Sequence, residues 1–448
     1  MKGYFLKYTP HRTTLFLLTL SITFSLLSRA GTLPPGHTQS EANQTAVAAQ
    51  NPLSRHQGAN NECEYNVIVY LGGQNNLYPY GPYNMKQAAK LGSNKNVNFL
   101  VYLDLYTEKE IQLVEIHKDN IKVVQKLERT PKNATGTPFS LYSCLKWAIT
   151  QYPAKRQALV LWNHGSGPLE PHRWGRSTPQ RFFNPGKRGI CFNNAYSEYL
   201  TCQDLAATLE LASQELLGGK KFDVVGMDAC VMAGVAVAEE LKNVADLIVF
   251  SQDVELAPGW NYQLCFDQAV QKPLSPIDFC KNIVEGYRKE YAYITGDFTL
   301  STVETRTFGK LYDNIDAVSK QLVTLLKGPE RNNLLALLRR IRTREKTTTS
   351  FYDNNYIDLH HFYLSLFTAL RNTAKSDSYD SLLSLINDGI KALETTVIHN
   401  TAGVSLPHAR GLSIYFPTRW MHSSYPKTNF GANNAWKNFI EEYLGIAF

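Results

Sequence analysis

Two short segments of this chain hold the residue types of a thiol hydrolase. His164 lies in Asn163-His164-Gly165-Ser166-Gly167, and 66 residues later Cys230 closes Asp228-Ala229-Cys230. A thiolate attacks a carbonyl readily, and an imidazole can manage the protons of that attack. The glycines after His164 let a substrate backbone come close and can offer N–H groups to an oxyanion. Singly, each feature is ordinary. A lone Cys after an apolar run is more often a small buried residue, and a lone His-Gly is more often a turn. The pair means something only if the chain brings both to one place.

The elements that would do so are legible. Tyr65–Leu71, Val97–Asp104, Ala158–Asn163, Phe222–Asp228 and Leu247–Ser251 are short apolar runs that read as buried strands. Between them, Tyr83–Leu91, Ser140–Gln151, Thr201–Leu217 and Val231–Leu241 have helical spacing. Strand and helix alternating in this way predict an α/β fold, a mainly parallel sheet with helices on both faces. In open parallel sheets chemistry gathers at the carboxyl ends of the strands. His164 follows the third strand and Cys230 the fourth. A helix starting at once after Cys230 would favour its thiolate through the helix dipole.

Residues 168–191 break the rhythm with a long loop rich in Gly and Pro, carrying Arg173, Arg176, Arg181, Lys187 and Arg188. Long loops of this kind are usually functional or mobile. After about 270 the pattern turns helical, at Ile277–Tyr287, Leu311–Leu326, Asn332–Ile341, Leu359–Leu370 and Ser381–Leu393, with a late strand at Gly411–Phe416. The chain thus divides into a core at 62–270 and a more helical part at 271–448 packed on it.

The amino terminus reads as an export signal. Lys2, Lys7 and Arg12 precede an apolar stretch from Leu15 to Leu27, too short for a comfortable span, and Ser28-Arg29-Ala30 offers small residues around a cut after Ala30. Residues 1–30 are therefore a signal peptide and 31–61 a solvated, disordered linker, and the protein is secreted or periplasmic. No later run is long enough for stable membrane insertion. Net charge is +7, falling to +3 without the four basic residues of the leader, which gives no case for a nucleic-acid partner. The seven cysteines are widely spaced without a CxxC, so structural zinc is not expected. A disulfide or two would suit an exported protein.

ALVLWNHGSG and DVVGMDACVMAG, in that order, resemble the His-Gly and Asp-Ala-Cys blocks of the clostripain family of cysteine peptidases, in the caspase-like clan. Similar segments recur at Val67–Leu77, Val97–Asp104, Gly189–Glu210, Glu240–Gln252, Tyr356–Phe362, Gly411–Pro417 and Ala435–Leu444. The resemblance implies a caspase-like sandwich and a cysteine endopeptidase acting on protein or peptide substrates. It implies Cys230 as nucleophile and His164 as its dyad partner. The N–H groups of Gly165 and Cys230 would form the oxyanion hole. The family cuts after basic residues, Arg above all, using acids in the S1 pocket, and Asp228 matches one of them. A helix cap is the alternative role for Asp228. The second acid, usual in a Pro-Gly-acid-Gly-Trp segment, is missing from Ala257-Pro258-Gly259-Trp260-Asn261, which leaves Asp253 or Glu255 to replace it.

Relatives mature by cutting between the His and Cys blocks, so Arg173, Arg176, Arg181, Lys187 and Arg188 are self-processing candidates. No cofactor is needed for the chemistry. Some relatives use calcium, for which Asp104, Asn193 and Asn194 are the oxygen donors to consider, without any EF-hand pattern. Two competing readings remain. One is an inactive homologue that only binds, against which both Cys230 and His164 stand. The other is an α/β esterase or amidase, whose nucleophile elbow Met227–Met232 does not provide.

Overall fold

The five apolar runs become five adjacent parallel strands. The computed structural model describes residues 62–169, 189–343, 347–372 and 379–446. The leader, the linker and the five basic residues of the 168–191 loop lie outside the described residues. In chain order the strands are β1 (Cys63–Gly73), β2 (Val97–Leu105), β3 (Glu110–His117), β4 (Asn120–Glu128), β5 (Ala154–Trp162), β6 (Ile190–Asn193) and β7 (Glu198–Leu200). They continue with β8 (Phe222–Asp228), β9 (Ala245–Phe250), β10 (Thr299–Glu304), β11 (Tyr356–Asp358), β12 (Val397–Ala402) and β13 (Ser413–Tyr415). The main sheet runs β12-β10-β9-β8-β5-β1-β2-β3-β4. Strands β2, β1, β5, β8 and β9 are mutually parallel, and an antiparallel pair extends the sheet on each side.

Side chains alternate across this sheet as the two-residue strand period requires. Ile68, Tyr70, Leu159, Leu161, Val225 and Met227 enter one core with the helices Pro138–Gln151, Cys202–Leu216 and Val235–Leu241. Val67, Val69, Leu71, Val160 and Val224 enter the other with Tyr80–Ala89 and Pro276–Tyr291. Local signals set several of these helices. Thr201 and Asp204 form a reciprocal capping box at the start of Cys202–Leu216.

The structure corrects the sequence reading in two places. The helix expected at Val231 begins at Val235, capped by Gly234, so Cys230 sits on a turn before the helix rather than at its first residue. The boundary at 270 is a change of texture and not of fold, because β10 and β12 come from beyond it and complete the sheet. The late strand expected at Gly411–Phe416 is present as β13, paired with β11 in a separate two-stranded sheet. Ser413 N–H and Oγ both donate to the Ala233 carbonyl, at 2.8 and 2.9 Å, so this remote strand braces the turn after Cys230. None of the seven cysteines is in a disulfide, and all but Cys230 are buried. No described helix is long and apolar enough to cross a membrane.

Candidate active site

Register brings the two motifs together. Trp162 lies opposite Asp228 where β5 and β8 end side by side, and Asn163 N–H donates to the Asp228 carbonyl at 3.3 Å. His164 and Cys230 follow within two residues. Gly165 then passes so close that a Cβ there would stand 2.5 Å from the Cys230 carbonyl oxygen. No other residue type allows that approach. The stem of the long loop closes over this point, with Gly165 bridged to Ile190 and Ser166 N–H donating to the Gly189 carbonyl at 3.1 Å.

The turn after the cysteine is strained. Val231 has φ +52°, a left-handed conformation costly for a β-branched side chain. It is held by Val231 N–H to the Asp253 carbonyl, 3.0 Å, and Ala233 N–H to the Ser251 carbonyl, 2.7 Å. Strain of this size persists only where the surroundings over-determine it, as at functional sites.

The Cys230 thiol donates to the Glu255 carbonyl at 3.7 Å. Burial pushes its pKa up to about 12, and the nearby acids Glu255, Asp253 and Asp228 add to the rise. Burial and these acids thus disfavour the thiolate in this state, opposite to the helix-dipole expectation, and the helix itself starts only at Val235. Burial also lowers the His164 imidazole to about 4, so it is neutral at ordinary pH. Its Nε2 lies 2.8 Å from Asn76 Oδ1.

Asp228 and Glu255 form a buried carboxyl pair, 4% and 7% exposed. Asp228 does not cap a helix. Its Oδ1 accepts from Trp260 N–H at 3.0 Å and its Oδ2 from the Tyr262 hydroxyl at 3.3 Å. Gly259, at φ +76°, turns directly over this carboxylate, where a Cβ would fall 2.4 Å from Oδ1. Burial raises Asp228 to about 7. Burial and the adjoining Asp228 raise Glu255 well above the carboxylate range, so it keeps its proton. Glu255 touches Asp228 and Trp260, yet the contacts fall short of hydrogen-bond geometry. Both Glu255 oxygens and Trp260 Nε1 are buried without a hydrogen-bond partner. Asp253 is engaged differently, its Oδ1 accepting from the N–H groups of Tyr352 (2.9 Å) and Val254 (2.8 Å).

The calcium donors do not form a cation site. Asp104 and Asn193 meet, but Asn193 turns its Nδ2 toward Asp104. The Asp104 oxygens already accept from Gln74, from the N–H and hydroxyl of Thr135, and from Arg129 Nε at 2.8 Å. A guanidinium stands where a cation would need to be. Asn194 joins through its backbone N–H to the Gln74 carbonyl. Among the described residues no group of three or more His, Cys, Asp or Glu is placed to hold a metal.

A Cys and a His at neighbouring carboxyl ends of a parallel sheet, with an acid pair beneath the Cys, define a thiol-hydrolase type of site on an α/β sandwich. Residues 69–443 match the model of the clostripain family, peptidase family C11, and the chain belongs to that family of cysteine peptidases. No curated protein matches it. Among solved structures it is similar to a secreted C11 cysteine protease from Bacteroides thetaiotaomicron in complex with an irreversible peptide inhibitor. That match has 19% identity and a TM-score of 0.56, over 85% of this chain and 99% of that one. It is also similar to an inactive zymogen C11 protease from Parabacteroides distasonis, at 19% identity and TM-score 0.56, over 85% and 98%. At such identities the likeness shows the fold, a caspase-like sandwich. Sequence reasoning missed Asn75, Asn76 and Tyr262. The Asn pair lies inside the Val67–Leu77 segment, and its side-chain chemistry was the unused signal.

Proposed function

We propose that this chain is an exported endopeptidase that uses Cys230 as nucleophile and His164 as acid–base partner to cleave after basic residues. The observation that carries the specificity is the Asp228–Glu255 pair. Two carboxyls are buried behind the nucleophile, and among the described residues no cationic side chain is a main influence on the pKa of either. Burying such groups is costly without a counter-charge, and a P1 Arg or Lys would supply one. Glu255 replaces the missing acid of the 257–261 segment better than Asp253, whose carboxylate is engaged with Tyr352 and Val254.

The chemistry follows from the same groups. The neutral imidazole takes the thiol proton as sulfur attacks the scissile carbonyl, then returns it to the leaving amine. The N–H groups of Gly165 and Cys230 receive the oxyanion. Two of the acids that raise the Cys230 thiol, Asp228 and Glu255, are the ones a P1 cation would offset, so filling S1 would also ease thiolate formation. The basic loop residues at 173–188 are the self-processing sites in this reading, and the amino-terminal leader directs export. The Bacteroides thetaiotaomicron protease, described as secreted, agrees with that destination.

The test is reaction with an Arg-chloromethyl ketone and turnover of Arg-P1 peptides. Wild type is labelled on Cys230 and active. Cys230→Ala is folded and inactive, and His164→Ala loses a factor of a hundred or more. Activity retained in Cys230→Ala would remove the mechanism, and an unlabelled, inactive wild type carrying an intact loop would favour the binding homologue.

A further inference from the structure

We propose that Tyr78 and Tyr106 form a subsite on the leaving-group side of the cleft, which takes an aromatic side chain of the substrate two or three residues beyond the cut bond. This rests on Cys230 and His164 being the dyad and on a P1 cation entering at the Asp228–Glu255 pair. Those assignments give the cleft a direction. The acids belong to the end of β8 and the segment after β9, whereas His164 follows β5. In the strand order β9-β8-β5-β1-β2 they lie on opposite sides of the cut. His164 returns a proton to the leaving amine, so the substrate beyond the cut runs past β5 toward β1 and β2.

Two aromatic rings stand at those strand ends. Tyr78 is 36% exposed and Tyr106 67%, and the rings meet with centroids 5.6 Å apart at 40°. One exposed Tyr is ordinary surface. Two in contact, each held through its backbone, make a prepared face. Asn76, two residues before Tyr78, reaches the catalytic side chain, its Oδ1 2.8 Å from His164 Nε2. Asn75 Nδ2 donates to Asn163 Oδ1 at 2.9 Å, and the Asn75 carbonyl accepts from Tyr78 N–H at 3.2 Å. One short turn thus ties Tyr78 to the strand end that carries His164. Tyr106 N–H donates to the Gly73 carbonyl at 3.0 Å. Arg129 clamps the chain just before Tyr106, its Nε on the Asp104 carboxylate at 2.8 Å and its Nη2 on the Leu105 carbonyl at 2.9 Å. Rings on fixed bases lose little entropy when they grip a partner.

The spacing suits the second or third residue past the cut. Strands lie ~4.8 Å apart, so the gap between β1 and β2 is ~10 Å from the gap between β8 and β5, which an extended chain covers in about three residues. An aromatic side chain is the partner that edge-to-face or offset packing on two tyrosines favours. The chain's own sequence contains such a substrate. Of Arg173, Arg176, Arg181, Lys187 and Arg188, only Arg181 is followed by two aromatic residues, Phe182 and Phe183. A subsite of this kind therefore favours Arg181 among the five.

The test compares two peptides with the sequence of residues 178–185, one natural and one carrying Phe182→Ala and Phe183→Ala. Each is offered to the full-length wild type, to Tyr78→Ala, to Tyr106→Ala and to the double variant, all checked for wild-type melting. Labelling of Cys230 by an Arg-chloromethyl ketone, which carries nothing beyond P1, reads the dyad and S1 apart from the tyrosines. Wild type turns over the natural peptide with a kcat/KM about 3- to 10-fold above that of the Ala peptide, the range that an aromatic contact supplies. In the double variant the ratio shrinks to about 2-fold or less. Equal kcat/KM for the two peptides in wild type overturns the proposal while leaving the dyad intact. A double variant that keeps the full preference also overturns it. If wild type is neither labelled nor active on either peptide, the dyad reading falls first and this proposal with it.

Discussion

Replacing Asp228 by Asn should make the protein more stable and a worse enzyme. The stability half follows from the raised pKa of the buried carboxyl, about 7 against an ordinary 3.8. Folded Asp228 keeps its proton over that interval while the unfolded chain releases it. Its contribution to stability is therefore full below pH 4 and is lost as pH rises through about 7. Each tenfold change in proton affinity corresponds to ~1.36 kcal/mol, so the loss at pH 8 is on the order of 2–4 kcal/mol. Asn removes that loss and keeps the bonds, with Oδ1 accepting from Trp260 N–H and Nδ2 donating to the Tyr262 oxygen. Thermal or denaturant unfolding from pH 4 to 9 should show wild type matching Asp228→Asn near pH 4, falling steadily behind it up to about pH 7, and keeping a constant deficit above that. The activity half follows from the lost anion. A charge-assisted hydrogen bond contributes ~1.5–3 kcal/mol, so the preference for Arg over Leu at P1, measured as a ratio of kcat/KM, should fall about 10- to 150-fold. The reasoning fails if Asp228→Asn is the less stable protein at pH 8, or if Arg-P1 and Leu-P1 substrates lose activity by the same factor. Either result would make Asp228 a structural acid.

Gly165→Ala places a Cβ 2.5 Å from the Cys230 carbonyl. It should cost about 1–3 kcal/mol by overpacking and reduce kcat far more than melting changes, measured by peptide turnover beside a thermal scan. For self-processing, wild type and Cys230→Ala purified in parallel should differ on a denaturing gel. Only wild type should be cut, with new amino termini after one of the five basic residues between 173 and 188. Equal cleavage in both proteins would assign the cut to another protease.

The sequence by itself determined the parallel core and the two ends that matter. Runs such as Ala158–Asn163 and Phe222–Asp228 are apolar throughout because both faces of the sheet are covered, and that is readable without a structure. The Asn-His-Gly and Asp-Ala-Cys blocks were legible for the same reason, since each stands where such a strand stops. The antiparallel flanks were not. Strands β3 and β4 mix charge with apolar residues, and β10 and β12 lie within a region dominated by helical periodicity. Helical spacing likewise ran through Val231–Gly234, where tertiary bonds to Ser251, Asp253 and Ser413 hold an extended, strained turn against local propensity.

The tertiary structure alone decided the electrostatics of the site. Glu255 is 25 residues from Cys230 in the chain, Trp260 and Tyr262 are about 30 from Asp228, and Asn76 is 88 from His164. No spacing rule links these pairs. Burial sets the direction of each pKa, and burial depends on how the 251–262 segment folds back under the Cys230 turn. So the sequence could name a thiol and an imidazole as partners, but not that the thiol rests protonated beside an acid pair. That property belongs to the packing, because desolvation and through-space charge act over distances along the chain that no local pattern records.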